Sequence, residues 1–206
     1  MQYSTFAAID IGSYDVILEI FEISKKQGIR SVDKICHRME LGKDTYTLGK
    51  IRPEMEEELC RVLADFVRIM EGYRVDDYRA TASSAISEAS NSLYVLGKIH
   101  QLTGLSVTVL SNSEQRFLSY KALAAMEDNF NKIIEKGTAI LDLDGGSFQI
   151  SLFDKDALVT TQNIRMGSLR IRERLAGIQS ETEHYEEMVE ELIWNEVSSF
   201  KKMYLK

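Results

Sequence analysis

Two short segments of this 206-residue chain put a carboxylate at the end of an apolar run and small residues directly behind it. The first is Asp10-Ile11-Gly12-Ser13; the second is Asp142-Leu143-Asp144-Gly145-Gly146-Ser147. That combination suits a phosphate. Glycine lets backbone N–H groups approach an anion closely, a serine hydroxyl adds a donor, and an aspartate can hold a hydrated Mg2+ that offsets the phosphate charge. Taken singly, either turn reads equally well as plain turn chemistry, because Asp-Gly and Gly-Ser pairs join strands in any hairpin. Paired at the same place in two repeats, they favour two phosphate-holding turns facing each other across a cleft. Asp144 has two readings of its own: with Asp142 it makes a tighter cation site, or its charge repels a phosphate unless a metal sits between them.

The elements that must position these turns follow from hydrophobic periodicity. Residues 5–11 read as a buried strand, 16–24 as a half-buried one with loose alternation, and 29–39 as a third, followed by a Gly-containing loop over 41–52. Pro53 opens a helix as a first-turn proline, with acids where the helix dipole favours them and an apolar stripe from Met55 to Met70. A strand at 77–82, a helix over 84–102 stopped by Gly104, a strand at 105–110 and a helix over 114–133 complete a first α/β lobe, residues 1–132. The pattern restarts in a second lobe, residues 138–206. Strands are predicted at 138–143, 148–153 and 158–162, with a turn at 154–156, and an amphipathic helix over 182–206. The same strand, turn, strand, strand, helix order therefore occurs twice.

Composition limits the function classes. A formal charge of −7 argues against a general nucleic-acid binder, which carries a basic face, but leaves room for a small anion held by local dipoles. With 44% hydrophobic and 28% charged residues and no apolar run near the length of a membrane span, a cytoplasmic, non-membrane protein is expected. Cys36 and Cys60 are spaced as neither a zinc ribbon nor a redox pair. His37, His100 and His184 read as surface residues.

Several motifs together resemble one family. AAIDIGS near the start, LG-x-x-x-x-x-LGKI from Leu41, SSA-x-x-EA-x-N from Ser83 to Asn91, S-x-x-E from Ser111 to Glu114, D-x-x-GGS from Asp142 to Ser147, and MGSLR from Met166 to Arg170 occur in the order and spacing of the exopolyphosphatase and guanosine pentaphosphate phosphohydrolase family. The resemblance covers about residues 5–205. It implies a duplicated actin-like (ribonuclease H-like) mixed-sheet α/β fold with the second lobe incomplete. It also implies Mg2+-dependent hydrolysis of a terminal phosphoanhydride of inorganic polyphosphate or a guanosine pentaphosphate-like ligand. Carried over residue by residue, phosphate falls to Gly12, Ser13, Ser83, Ser84, Gly145, Gly146 and Ser147, and the divalent cation to Asp10, Asp142 and Asp144. Glu114 takes the place of the residue that orients the attacking water; locally, three residues after Ser111, it also reads as the acid of a capping box.

The departures from the family pattern carry equal weight. Tyr14 and Asp15 replace Asn-Ser, Ser87 replaces an arginine, Glu40 stands where an arginine precedes the early Leu-Gly, and Gln115 replaces a second acid. The usual D-x-GGGS-T-E becomes a stretch with Asp144, Phe148 and Gln149. Arg79, Arg165 and Arg170 are the cations available to compensate, although they read first as surface charges. Two functions are therefore weighed: a phosphohydrolase, weakened or present as a fragment, and a non-catalytic relative that senses a phosphate ligand or binds a protein. Since the family continues past the point matching Lys206, a second copy or a further segment is expected to cover the 182–206 helix.

Overall fold

The computed structural model describes residues 3–126, 130–176 and 184–204, and the chain divides after Leu110 into two compact units. The first holds β1 (Ser4–Ile11), β2 (Asp15–Ser24), β3 (Gly28–Arg38), α1 (Leu41–Leu48), α2 (Pro53–Gly72), β4 (Asp77–Ala82), α3 (Ser84–Ser87), α4 (Ser92–Thr103) and β5 (Val107–Val109). Its sheet runs β3-β2-β1-β4-β5, with β1 to β3 an antiparallel meander and β1, β4 and β5 parallel. Ile9, Ile11, Leu18 and Ile20 from the strands and Leu59, Leu63 and Phe66 from α2 form one buried cluster. Each such side chain contributes about 1.5–3 kcal/mol on leaving water. Cys60 is buried as a small hydrophobe and Cys36 is exposed.

Two local readings of this unit need correction. The segment expected as a loop at 41–52 contains α1. Gly42, Thr45 and Thr47 are poor helix formers, so tertiary bonds hold it. Thr45 Oγ1 donates to Ala85 O at 2.7 Å, and the buried Asp44 carboxylate accepts from Arg52 N at 3.0 Å and Nε at 2.9 Å. The single helix expected over 84–102 is broken into α3 and α4. The break frees the Asn91 side chain as a clamp: its Nδ2 donates to Ile51 O and to the buried Glu56 at 2.8 Å each, and its Oδ1 accepts from Ile51 N at 3.0 Å.

The second unit holds α5 (Asn112–Met126), α6 (Phe130–Ile134), β6 (Thr138–Leu143), β7 (Phe148–Asp154), β8 (Ala157–Ile164), α7 (Ser168–Leu175) and α8 (Tyr185–Tyr204), with an antiparallel sheet ordered β6-β7-β8. The β7–β8 hairpin turns through Lys155 and Asp156 at φ 50° and 60°, the left-handed pair that matches strand twist. The junction expected at 132–137 falls inside this unit. Polar bonds tie α5 to the sheet: Ser119 Oγ donates to Asp142 Oδ2 at 2.7 Å, Tyr120 Oη donates to Ser151 Oγ, and Arg116 donates to Thr161 Oγ1 at 3.3 Å. Helix α7, unread in the sequence, is short and charged, and only Leu169, Ile171 and Leu175 are buried.

Of the 182–206 helix, the first two and last two residues lie outside the described residues. On α8, Phe200 is buried with Ile150, Ile164, Met166 and Ile171, and Tyr185, Met188, Val189 and Leu192 pack against that cluster. Ile193, Trp194, Met203 and Tyr204 are exposed. Among the described residues no helix is long and apolar enough to cross a membrane.

Candidate functional site

In the first unit the site grows from the ends of parallel strands. β1 and β4 run level, Asp10 opposite Thr81 and Ile11 opposite Ala82. Their carboxyl ends therefore deliver the Gly12-Ser13 turn and the Ser83-Ser84 pair side by side, where open α/β sheets hold ligands. Asp10 is exposed at the strand end. Gly12 N donates to Asp15 O at 3.0 Å, and a Cβ on Gly12 would lie 2.9 Å from that oxygen, so the turn requires glycine. Ser13 is fully buried. Its Oγ lies 2.7 Å from Tyr46 Oη and 3.1 Å from Ser84 Oγ, while Tyr46 Oη lies 2.9 Å from Ser84 Oγ. Ser83 Oγ, also buried, has no hydrogen-bond partner among the described residues. Tyr46 gave no signal in the sequence because the helix that carries it, α1, gave none.

In the second unit the site is a cross-strand row. Asp142 on β6 stands opposite Gln149 on β7, and Gln149 opposite Asn163 on β8, so three polar side chains share one face of the sheet. They line a small polar pocket with Asn112, Gln115, Asp144 and Ser147. Gln149 is buried, and the buried Asn163 Oδ1 has no hydrogen-bond partner among the described residues.

The turn beside this row is tightly built. Asp144 N donates to Ser147 O at 2.9 Å and Gly145 N to Asp144 Oδ1 at 2.5 Å. The start of α7 closes over it: Ser168 N donates to Asp144 O at 3.2 Å, Leu169 N and Arg170 N donate to Gly145 O at 3.0 and 3.1 Å, and Arg170 Nε donates to Gly146 O at 2.9 Å. Gly167 makes this contact possible, since a Cβ there would lie 2.3 Å from Asp144 O and 2.4 Å from both Gly145 C and Ser147 N. The glycine sits inside the MGSLR motif, but nothing local reveals its packing partners in the Asp144–Ser147 turn.

Burial, followed by the charge of Asp142, raises the Asp144 carboxyl above the ordinary aspartate range, and hydrogen bonds from Gly145 and Gln115 only partly offset this. A cation would relieve that repulsion. Two carboxylates, a partnerless amide oxygen and a serine hydroxyl are hard oxygen donors of the kind Mg2+ takes. The donor set of the second unit fits a divalent cation through Asp142, Asp144 and Asn163, although no group of three or more His, Cys, Asp or Glu converges among the described residues.

Glu114 is exposed and accepts from Ser111 N at 2.8 Å and Ser111 Oγ at 2.7 Å, while Glu114 N donates back to Ser111 Oγ at 3.3 Å. That is the complete capping box, and its bonds hold the Glu114 carboxyl below the ordinary range. Ser87 is exposed, with Oγ 3.5 Å from Ser84 O. Of the arginines considered as replacements, Arg170 is spent on the Gly146 carbonyl and Arg79 is exposed. Tyr14 and Glu40 meet through Arg38, whose guanidinium stacks 4.4 Å from the Tyr14 ring centre and pairs with Glu40 at 3.1 Å.

Comparison with known proteins matches residues 19–206 to the Ppx/GppA phosphatase family. Curated relatives include a bifunctional 3-dehydroquinate synthase/phosphatase of Fusobacterium nucleatum, 22% identical over 82% of this chain and 26% of that protein. Exopolyphosphatase 1 of Mycobacterium leprae is 25% identical over 69% of this chain and 41% of that protein. The chain thus spans well under half the length of these relatives. Among solved structures, an exopolyphosphatase-like protein superposes with a TM-score of 0.80 at 19% identity, covering 98% of this chain and 62% of that one. The Aquifex aeolicus Ppx/GppA member gives 0.71 at 23%, covering 97% and 63%. The fold is accordingly the actin-like, mixed-sheet α/β fold that the sequence resemblance implies. With the family model matching nearly the whole chain, the chain belongs to the Ppx/GppA phosphatase family.

Proposed function

We propose that this chain carries the phosphate- and metal-holding elements of a phosphohydrolase that removes the terminal phosphoryl group of inorganic polyphosphate or of a guanosine pentaphosphate-like ligand. The observation that carries this is the Asp142, Gln149, Asn163 row beside the Asp144–Ser147 turn in a member of a phosphatase family. Asp142, Asp144 and Asn163 hold the divalent cation. When bound, that ion neutralises charge on the phosphoryl oxygens. Ser147, beside that row in the second unit, donates its hydroxyl hydrogen to the same oxygens. Glu114 orients the attacking water by exchanging its bonds to Ser111 for one to that water. Attack at the terminal phosphorus then breaks its bond to the bridging oxygen, which leaves with the shortened chain.

Phosphate release from polyphosphate with Mg2+ tests this, comparing the parent with Glu114→Gln. A positioned carboxylate contributes about 10²–10⁴ in rate, so release should fall at least a hundredfold. Equal release from both proteins removes Glu114 from the mechanism. One set of observations favours a second reading, that of a phosphate-ligand sensor: Glu114 is engaged in its cap, and position 149 is an amide. Tripolyphosphate binding without any phosphate release would select it.

A further inference from the structure

We propose that Tyr46 is a phosphate-binding residue of the first unit, making the contact that the sequence assigns to Ser13, with Ser13 behind it as a positioning residue. This rests on the phosphate-ligand reading above. The three hydroxyls of Ser13, Tyr46 and Ser84 form a closed triangle with sides of 2.7, 2.9 and 3.1 Å. Its corners differ in access: Ser13 is fully buried, whereas Tyr46 and Ser84 are half-buried. Ser13 is therefore closed to an anion arriving from solvent, whereas Tyr46 and Ser84 keep part of their surface open to it.

Hydroxyl chemistry separates the roles. Each hydroxyl has one hydrogen to donate and two lone pairs to accept with. Without a ligand, each hydroxyl can donate to the next around the triangle. With a phosphoryl oxygen present, Tyr46 and Ser84 turn their hydrogens outward, and Ser13 gives its single hydrogen to the phenol 2.7 Å away, holding it in place. Phenol is the most acidic of the three, hence the strongest donor, and a bond from it to an anion is roughly twice as strong as a neutral one. The neighbouring Ser83 Oγ, buried and without a partner, marks the same strand end as short of hydrogen-bonding groups. The ligand class this favours is an exposed terminal phosphoryl group, which presents several acceptor oxygens and no donors when ionised.

The test is titration calorimetry of the full chain with inorganic tripolyphosphate at fixed salt and Mg2+. Tyr46→Phe keeps the ring and its packing but loses the donor. Removing a hydrogen bond to a charged group weakens binding about tenfold or more, and that loss is the expected result. Ser13→Ala is expected to weaken binding by a smaller factor, and Tyr46→His, which keeps a planar ring with an N–H, to recover part of the loss. A cooperative thermal melt of each variant separates these effects from misfolding. If the parent binds and Tyr46→Phe binds equally well, Tyr46 makes no contact and the phosphate reading stands without it. Tighter binding by Tyr46→Phe would show the phenol to be a plug, and a larger loss from Ser13→Ala would return the contact to Ser13; both overturn the proposal. No binding by the folded parent overturns both the proposal and the phosphate reading on which it rests.

Discussion

Gly167→Ala and Gly97→Ala add the same single carbon and should move stability in opposite directions. At Gly167 the new Cβ would stand 2.3 Å from Asp144 O and 2.4 Å from Gly145 C and Ser147 N. Ordinary carbon contacts lie at about 3.5–4.0 Å, so backbone must retreat by more than about 1 Å. Overpacking costs about 1–3 kcal/mol where side chains can yield. All three obstacles here are main chain, so the upper end applies. The retreat also stretches the bonds from Ser168, Leu169 and Arg170 to the turn carbonyls, each worth about 1 kcal/mol net. A loss of about 3–5 kcal/mol follows, which for a unit of under 100 residues lowers its melting temperature by roughly 4–8 °C per kcal/mol. Gly97 is exposed on α4 and a Cβ there meets nothing within 4 Å, so alanine should stabilise by about 0.5–1 kcal/mol through helix propensity. Differential scanning calorimetry and urea unfolding of both variants read the contrast. A Gly167→Ala protein within about 1 kcal/mol of the parent would refute the claim that close main-chain approach builds the turn.

Three further outcomes are expected. Asn91→Ala should cost about 2–3 kcal/mol in urea unfolding, since it leaves the buried Glu56 carboxylate and the Ile51 backbone short of partners; a cost under 1 kcal/mol would make the clamp incidental. Asp144→Asn should raise the melting temperature at pH 7 without divalent cation. The folded carboxyl lies above its unfolded value, so the ionised group destabilises progressively as pH rises from the unfolded to the folded value, and the advantage of the variant should vanish below about pH 4; an equal gain at acid pH would refute this cause. Ser87→Arg, on the exposed end of α3, should raise phosphate release or tighten tripolyphosphate binding about tenfold or more, as an arginine clamp does for a phosphoryl group; no change in either would remove this position from the anion site.

Much of the frame was legible because strands with one buried face announce themselves by alternation. The strands at 77–82 and 138–143 stand where the pattern put them, and β1, β2, β3 and β7 agree within a residue at each end. What stayed hidden was whatever depends on a distant partner. Helix α1 needs Ala85 and Arg52, the gap between α3 and α4 needs Ile51 and Glu56, and α7 needs the turn it caps. The site divides the same way. The Asp-Gly-Ser turns were readable as residue types, but Tyr46 entered through an unread helix, and Asn163 entered through strand register, which no local pattern reports. Ser13 shows the converse: its type and place suited an anion contact, yet it is wholly buried.

Two of the departures from the pattern that the sequence resemblance implies, both in the first unit, are physically linked. Tyr14 stands where the resemblance expects an asparagine and Glu40 where it expects an arginine, and both touch Arg38, through its stacked face and its ion pair. Backbone joins them as well, because Met39 N and Glu40 N both donate to Tyr14 O, at 3.0 and 2.9 Å. Glu40 holds a left-handed backbone at φ 55° as it leads into α1, the helix that presents Tyr46 to Ser13 and Ser84. Restoring arginine at position 40 alone would set two guanidinium groups against each other and leave Tyr14 with its cation in place. A cationic first turn would therefore have to be rebuilt at 14, 38 and 40 together. The path from these residues through α1 to Tyr46 makes the replacements one rearrangement of the strand-end site, in which a neutral phenol stands over the buried Ser13 hydroxyl.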